Sequence, residues 1–213
     1  MPFSGSIALE GRSTANMHRA ELSRLLALVP QEPSTPPWMT VGEYVLLGRT
    51  PHLGLLAKEG MRDRRAAAQA LARLDLLDYR DRRLGTLSGG ERQRAVVARA
   101  LAQQARIVLL DEPTASLDIG HQQQALDLLD ELRGESEITL VAAMHDLTLA
   151  AQYADRMILL DAGRVAAEGV PREVLTETLI ARHYDATTQV VSVDGKVAVV
   201  PTRSVPAVAE GPR

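Results

Sequence analysis

The stretch LSGGERQRAVVARALAQQARIVLLDEPTASLD, Leu87 to Asp118, decides the fold. A serine and two glycines stand directly before Glu91 to Gln104, where Val96, Val97, Ala100 and Leu101 recur at helical spacing. Such a junction gathers unblocked backbone N–H groups and the positive end of a helix dipole, which suits a phosphate. A serine N-cap with a glycine turn accounts for the same residues. Ile107 to Leu110 is a short apolar run closed by Asp111, Glu112 and Pro113, the pattern of a fully buried parallel strand. Ligands bind at the carboxyl ends of such strands. An aspartate there can hold Mg²⁺ and the adjacent glutamate can polarise a water, although a strand ending in solvent-facing acids reads the same way. Twenty-three residues separate Ser88 from Asp111, enough for a helix, a turn and a strand, so one crossover brings both to one sheet edge.

Upstream, Ser6 to Leu9 reads as a short strand ended by Gly11, and Arg19 to Leu26 as a helix leading into a buried run, Leu26 to Val29. Pro30, Pro33, Pro36 and Pro37 forbid regular structure until about Met39. Val41 to Leu84 is patterned as a helical lobe with a break at Thr50 to Gly54. Downstream, helix Gln122 to Leu132, buried run Ile138 to Ala143 and helix Thr148 to Tyr153 continue an alternation that predicts a parallel sheet covered on both faces. Hairpins follow around Ala162–Gly163 and Asp194–Gly195, the second spanning Gln189 to Val200, and the proline-containing last residues read as a loose tail.

Two further polar residues stand at strand ends. His145 follows the second buried run and can bind a terminal phosphate or fix an attacking water with Glu112; capping the next helix is the alternative. Gln31, after the run ending at Val29, can complete a Mg²⁺ shell or be an ordinary loop glutamine.

The chain has 213 residues, the size of one large domain or one domain with an inserted lobe. Its 46% hydrophobic and 24% charged content is that of an ordinary globular protein. The absence of cysteine excludes disulfides, thiolate metal sites and thiol catalysis. Aromatics at 3% and a net charge of −3 argue against nucleic acid as a partner. Neither a membrane-spanning run nor a secretory leader is readable, so a cytosolic location is expected.

VPQ at Val29 to Gln31, LSGGERQ at Leu87 to Gln93, IVLLDEPTASLD at Ile107 to Asp118, and His145 together resemble the nucleotide-binding subunit of an ABC transporter, from about Pro2 to Val170. The resemblance implies ATP and Mg²⁺ as cofactors and ATP hydrolysis coupled to transport. Gln31 would be the Q-loop glutamine, and Leu87, Ser88, Gly89, Gly90 and Glu91 the signature that meets a γ-phosphate held by a partner subunit. Asp111 would be the Walker B aspartate, sharing Mg²⁺ with Gln31, and Glu112 the general base. Ser116 to Asp118 would be the D-loop, its Asp118 beside the nucleotide, and His145 the switch histidine. EYVLLGRTPHLGL, Glu43 to Leu55, resembles more narrowly the ATPases of bacterial importers for iron-siderophore complexes, haem or cobalamin. Implied partners are a second ATPase subunit, transmembrane permease subunits and, indirectly, a substrate-binding protein, with the chain peripheral on the inner membrane face.

Such ATPases also carry G-x-x-x-x-G-K-[ST], whose amides cradle the phosphates. The two lysines here do not fit it: Lys58 lacks a glycine-rich loop, and Lys196 is flanked by Val190 and Val197 where glycine and a hydroxyl belong. Pro2 to Gly11 resembles the stretch that follows the P-loop helix in relatives, so the chain is expected to begin about 40 residues into the fold. The expected architecture is α/β: a P-loop NTPase-like parallel sheet core with an inserted helical subdomain and C-terminal β-hairpins, the first strands and P-loop missing. The boundaries are a single incomplete ATPase domain over 1–213, a helical subdomain at 38–86 within it, and a hairpin and tail at 187–213. A non-catalytic ABC-fold binding or regulatory module is the alternative function, because the Walker A loop is absent.

Overall fold

The computed structural model describes residues 4–54, 57–115, 117–135 and 138–203, which divide into two units, Met1–Ala143 and Met144–Arg213. The first opens with a small hairpin, β1 (Ala8–Leu9) and β2 (Arg12–Ser13), then α1 (Arg19–Leu25) running straight into β3 (Leu26–Val29). α2 (Val41–Leu46) continues into a tighter helical run, Leu47–His52, and is followed by α3 (Met61–Arg73) and α4 (Gly89–Ala102). β4 (Ile107–Asp111), α5 (Ile119–Glu135) and β5 (Thr139–Ala143) complete the unit.

β3, β4 and β5 form a parallel sheet in that order, with Val29 opposite Leu110 and Leu110 opposite Ala142. Both crossovers step the same way across the sheet, so the right-handed rule sends their helices to one face. α4 packs on β3 and shares an apolar cleft with α5, while Ala27, Val29, Val108 and Leu110 are buried on the covered side. The opposite face carries Leu28, 52% exposed, and Val141, 51% exposed, through the register Leu28–Leu109–Val141. Coverage of both faces, expected from the alternation of elements, is therefore not found among the described residues. A continuous apolar run was the misleading signal, since alternate side chains of a strand point to opposite faces.

The helical segment leaves and rejoins the core through one neck. Val41 donates to Arg82 O, Gly42 to Arg80 O, Leu84 to Met39 O and Gly85 to Pro37 O. Within the segment α2 starts on a reciprocal cap: Thr40 Oγ1 accepts from the Glu43 amide and Glu43 Oε2 accepts from the Thr40 amide.

The second unit contains α6 (Leu147–Tyr153), the hairpin β6 (Met157–Asp161) and β7 (Arg164–Gly169), α7 (Pro171–Val174), α8 (Glu177–Tyr184), and the hairpin β8 (Thr188–Val193) and β9 (Lys196–Pro201). Both hairpin turns have two residues with positive φ, Ala162 (45°) with Gly163 (74°) and Asp194 (50°) with Gly195 (78°). Lys196 thus opens a strand after a tight turn and belongs to no phosphate loop. Ala151, Leu175 and Ile180 form the core of the unit, and the Thr148 hydroxyl ties α6 to β9 by bonding both the N–H and the carbonyl of Val199. α7 and α8 were not read from the sequence. Their signals are local: Pro171 at a helix start, and Thr176, whose Oγ1 accepts from the Leu179 amide.

Asp63 and Glu91, like Glu43, serve as caps inside the first unit. Asp63 accepts from the Gly60 amide and from Arg49 Nε, and Glu91 accepts from the Ser88 amide; these bonds hold both below the ordinary carboxylate range. A group with a depressed native pKa contributes stability that is complete above its unfolded value and is lost as pH falls through the native one. The thermal midpoint of the wild type should therefore fall on acidification below about pH 4, and that fall should be shallower in Asp63→Asn and Glu91→Gln chains. Parallel curves for wild type and variants would show that the caps make no such contribution.

Candidate nucleotide site

The sheet register builds one cluster of candidate residues. Two residues beyond the paired Val29 and Leu110, Gln31 and Glu112 stand side by side, and Gln31 Nε2 donates to Glu112 Oε2 at 2.7 Å. The Glu112 amide donates to Ala143 O at 3.0 Å, which anchors the same residue to the far strand. Glu112 has φ +45°, a left-handed conformation that costs a non-glycine residue about 1 kcal/mol or more. This turn takes the chain sharply out of β4, with Asp111 exposed as the last strand residue. Two hard oxygens of the kind that Mg²⁺ takes are available here, the Asp111 carboxylate and the amide oxygen of Gln31, whose nitrogen is spent on Glu112.

A separate cluster of candidate residues is the start of α4. Ser88 is the N-cap; its Oγ accepts from the Glu91 amide at 3.3 Å and its N–H donates to Glu91 Oε2 at 2.7 Å. The cap thus occupies Ser88 and Glu91 and leaves the two glycine amides between them as the open donors of the first turn. Leu87 is buried, 5% exposed, and anchors the turn while its carbonyl accepts from Arg92. The two glycines are not equivalent. A Cβ on Gly90 would lie 3.3 Å from His121 Cδ2, a tight contact that the ring would have to relieve by a few tenths of an ångström. A Cβ on Gly89 would meet nothing within 4 Å. The fold leaves Gly89 bare, as close approach by something outside the chain requires.

Side-chain amides hold the loop that follows β4, between the two clusters. Gln93 Nε2 donates to Pro113 O at 3.1 Å, and Gln122 Nε2 to the carbonyl of the buried Thr114 at 3.2 Å. Asp118 accepts from the His121 amide at 3.0 Å and from the His121 ring at 2.8 Å. These bonds hold Asp118 below the ordinary aspartate range, and an ionised carboxylate only accepts, so His121 Nδ1 carries the proton. His121 is the residue that sequence reasoning missed. Its signal was a histidine three positions after a helix-capping acid, with its ring against Gly90. Gly90, Gln93, Pro113, Leu117 and His121 line one cleft. Ser116, read as the start of the D-loop, lies outside the described residues. His145 belongs to the second unit, exposed in the connection before α6; its neighbour Asp146 caps that helix through the Leu149 amide.

The family model for ABC transporters matches residues 1–115. The chain belongs to the ABC transporter ATP-binding family. It is 40% identical over 202 residues to the ferric enterobactin transport ATP-binding protein FepC of Escherichia coli, covering 94% of this chain and 74% of that protein. It is 41% identical to the hemin import ATP-binding protein HmuV of Streptomyces coelicolor, over 94% of this chain and 71% of that one. Among solved structures, the ADP conformation of MJ1267, an ATP-binding cassette of an ABC transporter, superposes with a TM-score of 0.74 at 25% identity, over 85% of this chain and 77% of that one. The fold and the family are thus those of ABC ATP-binding subunits.

The inequality of the signature glycines is testable. Gly89→Asp should leave the thermal midpoint unchanged or slightly raised, because an acid in a first helical turn gains about 0.3 to 1 kcal/mol from the dipole. In cells with this variant as the sole copy, transport should be lost if Gly89 faces a γ-phosphate as the resemblance implies, since the new carboxylate would repel it. Normal transport by a folded Gly89→Asp protein would remove Gly89 from the site.

Proposed function

We propose that this chain is the ATP-binding and ATP-hydrolysing subunit of an importer for an iron-siderophore, haem or cobalamin-type chelate, lying on the inner face of the cell membrane. The observation that carries the reading is the Gln31–Glu112 hydrogen bond at the carboxyl end of a parallel sheet. It joins the residue suited to polarising water with a residue suited to completing a Mg²⁺ shell. The relatives that transport ferric enterobactin and hemin point to the solute class.

In this reading Glu112 takes the proton of the attacking water as general base, and Gln31 orients that carboxylate. Asp111 and the Gln31 amide oxygen hold Mg²⁺, which when bound supplies charge for the transferred phosphoryl group. Ser88, Gly89 and Gly90 offer a hydroxyl and helix-terminal amides to the γ-phosphate, with Leu87 and Glu91 setting the turn and Asp118 closing the side. His145 works with Glu112, contacting the terminal phosphate that this water attacks and not the partner-held phosphate that the signature meets. The 213 residues contain no G-x-x-x-x-G-K-[ST], and the signature works on a nucleotide seated in the P-loop of a second ATPase subunit. Residues 38–86 form a helical subdomain within one ATPase domain, and the segment expected at 187–213 holds an accessory hairpin, Thr188–Pro201, its part after residue 203 lying outside the described residues. The subdomain passes dimer closure to permease subunits; Trp38, 71% exposed, and Leu47, 47% exposed, give it an apolar surface for that contact. A substrate-binding protein acts only through the permease.

Deletion of the gene from its host should abolish uptake of at least one labelled chelate among ferric siderophores, haem and cobalamin. Reintroduction as Glu112→Gln should restore the protein level but leave uptake about two orders of magnitude or more below wild type. Unchanged uptake of all three after deletion would sink the proposal. Full uptake with Glu112→Gln would select the non-catalytic module.

A further inference from the structure

The helical run Leu47–His52 carries GRTPH, part of the motif for which the resemblance to chelate importers was drawn and which no catalytic role above uses; Leu55 of that motif lies outside the described residues. Its groups converge on the C-terminal end of α4. Gly48 is so close to the Arg99 carbonyl that a Cβ would lie 2.1 Å from its oxygen. Arg49, only 1% exposed, donates from Nη1 to Ala102 O at 2.8 Å and to Gln104 Oε1 at 3.0 Å, and from Nε to Asp63 Oδ1 at 3.0 Å. His52 Nε2 lies 2.8 Å from Gln103 O and, facing a carbonyl, carries the proton and donates. The last carbonyls of a helix lack partners within it, and here the lobe supplies them, with a guanidinium at the negative end of the dipole.

The contacts continue to the sheet. Gln103 Nε2 donates to the carbonyls of Ser23 and Leu26, the latter the first residue of β3, and Arg24 Nε donates to Pro51 O at 2.9 Å. One cluster therefore joins the lobe, the rear of α4 and the entry to β3. The front of α4 is Ser88–Gly90, about 20 Å away along the 14-residue helix. β3 leads to Gln31. Burying a guanidinium is costly unless every bond is made, and apolar packing of equal volume would stabilise as well; what directional bonds add is a fixed axial position for the helix.

We propose that Gly48–His52 is a positioning clasp that sets where the signature glycines and Gln31 stand, with Arg49 and His52 as positioning residues. The proposal rests on the functional reading of Ser88–Gly90 and Gln31 given above. It is tested with His52→Ala, His52→Gln and Arg49→Lys in the full chain, by thermal unfolding, by the ¹⁵N amide resonances of Gly89 and Gly90 in purified protein, and by chelate uptake in the host. His52→Ala should melt within a few degrees of wild type, shift both glycine resonances, and lower uptake about tenfold, the scale of a sub-ångström misplacement. His52→Gln keeps an N–H donor and should recover most of the loss; Arg49→Lys keeps the charge without the fork and should behave like His52→Ala. Folded His52→Ala protein with unshifted glycine amides overturns the clasp, and so does wild-type uptake by a folded His52→Ala chain in a host where Glu112→Gln blocks uptake. If Arg49→Lys unfolds, His52→Ala decides. Should Glu112→Gln leave uptake intact, the functional reading fails while the glycine resonances still judge the clasp.

Discussion

The register of three short parallel strands governs everything at the site. With Val29 opposite Leu110 and Leu110 opposite Ala142, the residues just past each strand end are forced into lateral order. Gln31 has to meet Glu112, and the Glu112 amide has to meet Ala143 O. A slip by one residue would turn each strand over and separate the pair. The positive φ of Glu112 follows from the same constraint: the backbone bonds across to β5 while the chain departs abruptly from β4. Strain at that one residue is sustained because neighbours on both sides over-determine its place.

How much of this the sequence discloses depends on the range of the physics involved. Caps, turns and helical periodicity act over a few residues, so α4, β4, β5, α6 and both hairpins are legible within about two positions. Asp194–Gly195 adopts the positive φ that such a pair favours, and Ala162 takes it beside Gly163 without that preference. α7 and α8 were also encoded locally, in Pro171 and Thr176, but they are short and lie between hairpins where no periodicity draws the eye. The Gln31–Glu112 bond spans 81 positions and is legible only through strand pairing. His121 is a plain helical histidine until its ring is found against Gly90. Arg49 has no signal of its own in the sequence, and only its burial sets it apart.

Two adjacent glycines have different surroundings, and the difference has meaning for the signature as a whole. Gly90 is crowded from inside, by His121; Gly89 is not crowded by anything described within the chain. The capping box strengthens the contrast, because Ser88 and Glu91 satisfy each other and leave the amides between them to an outside acceptor. The first turn of α4 is thereby stable without its ligand yet incomplete in hydrogen bonding. That combination is what a pre-formed anion site needs, since ordering the turn costs nothing further when the anion arrives.

The handedness of the crossovers connects these local features. β3 to β4 and β4 to β5 advance in one direction, so α4 and α5 fall on one face and stand beside each other. Had the strand order reversed between them, α4 and α5 would lie on opposite faces. His121 would not reach Gly90, and Gln93 and Gln122 would not pin Pro113 and Thr114 from the two helices at once. The grouping of signature, post-strand loop and Asp118 therefore comes from winding direction before any side chain is chosen. The side chains then fix its distances, and the exposed Leu28–Val141 face is the other consequence of the same winding.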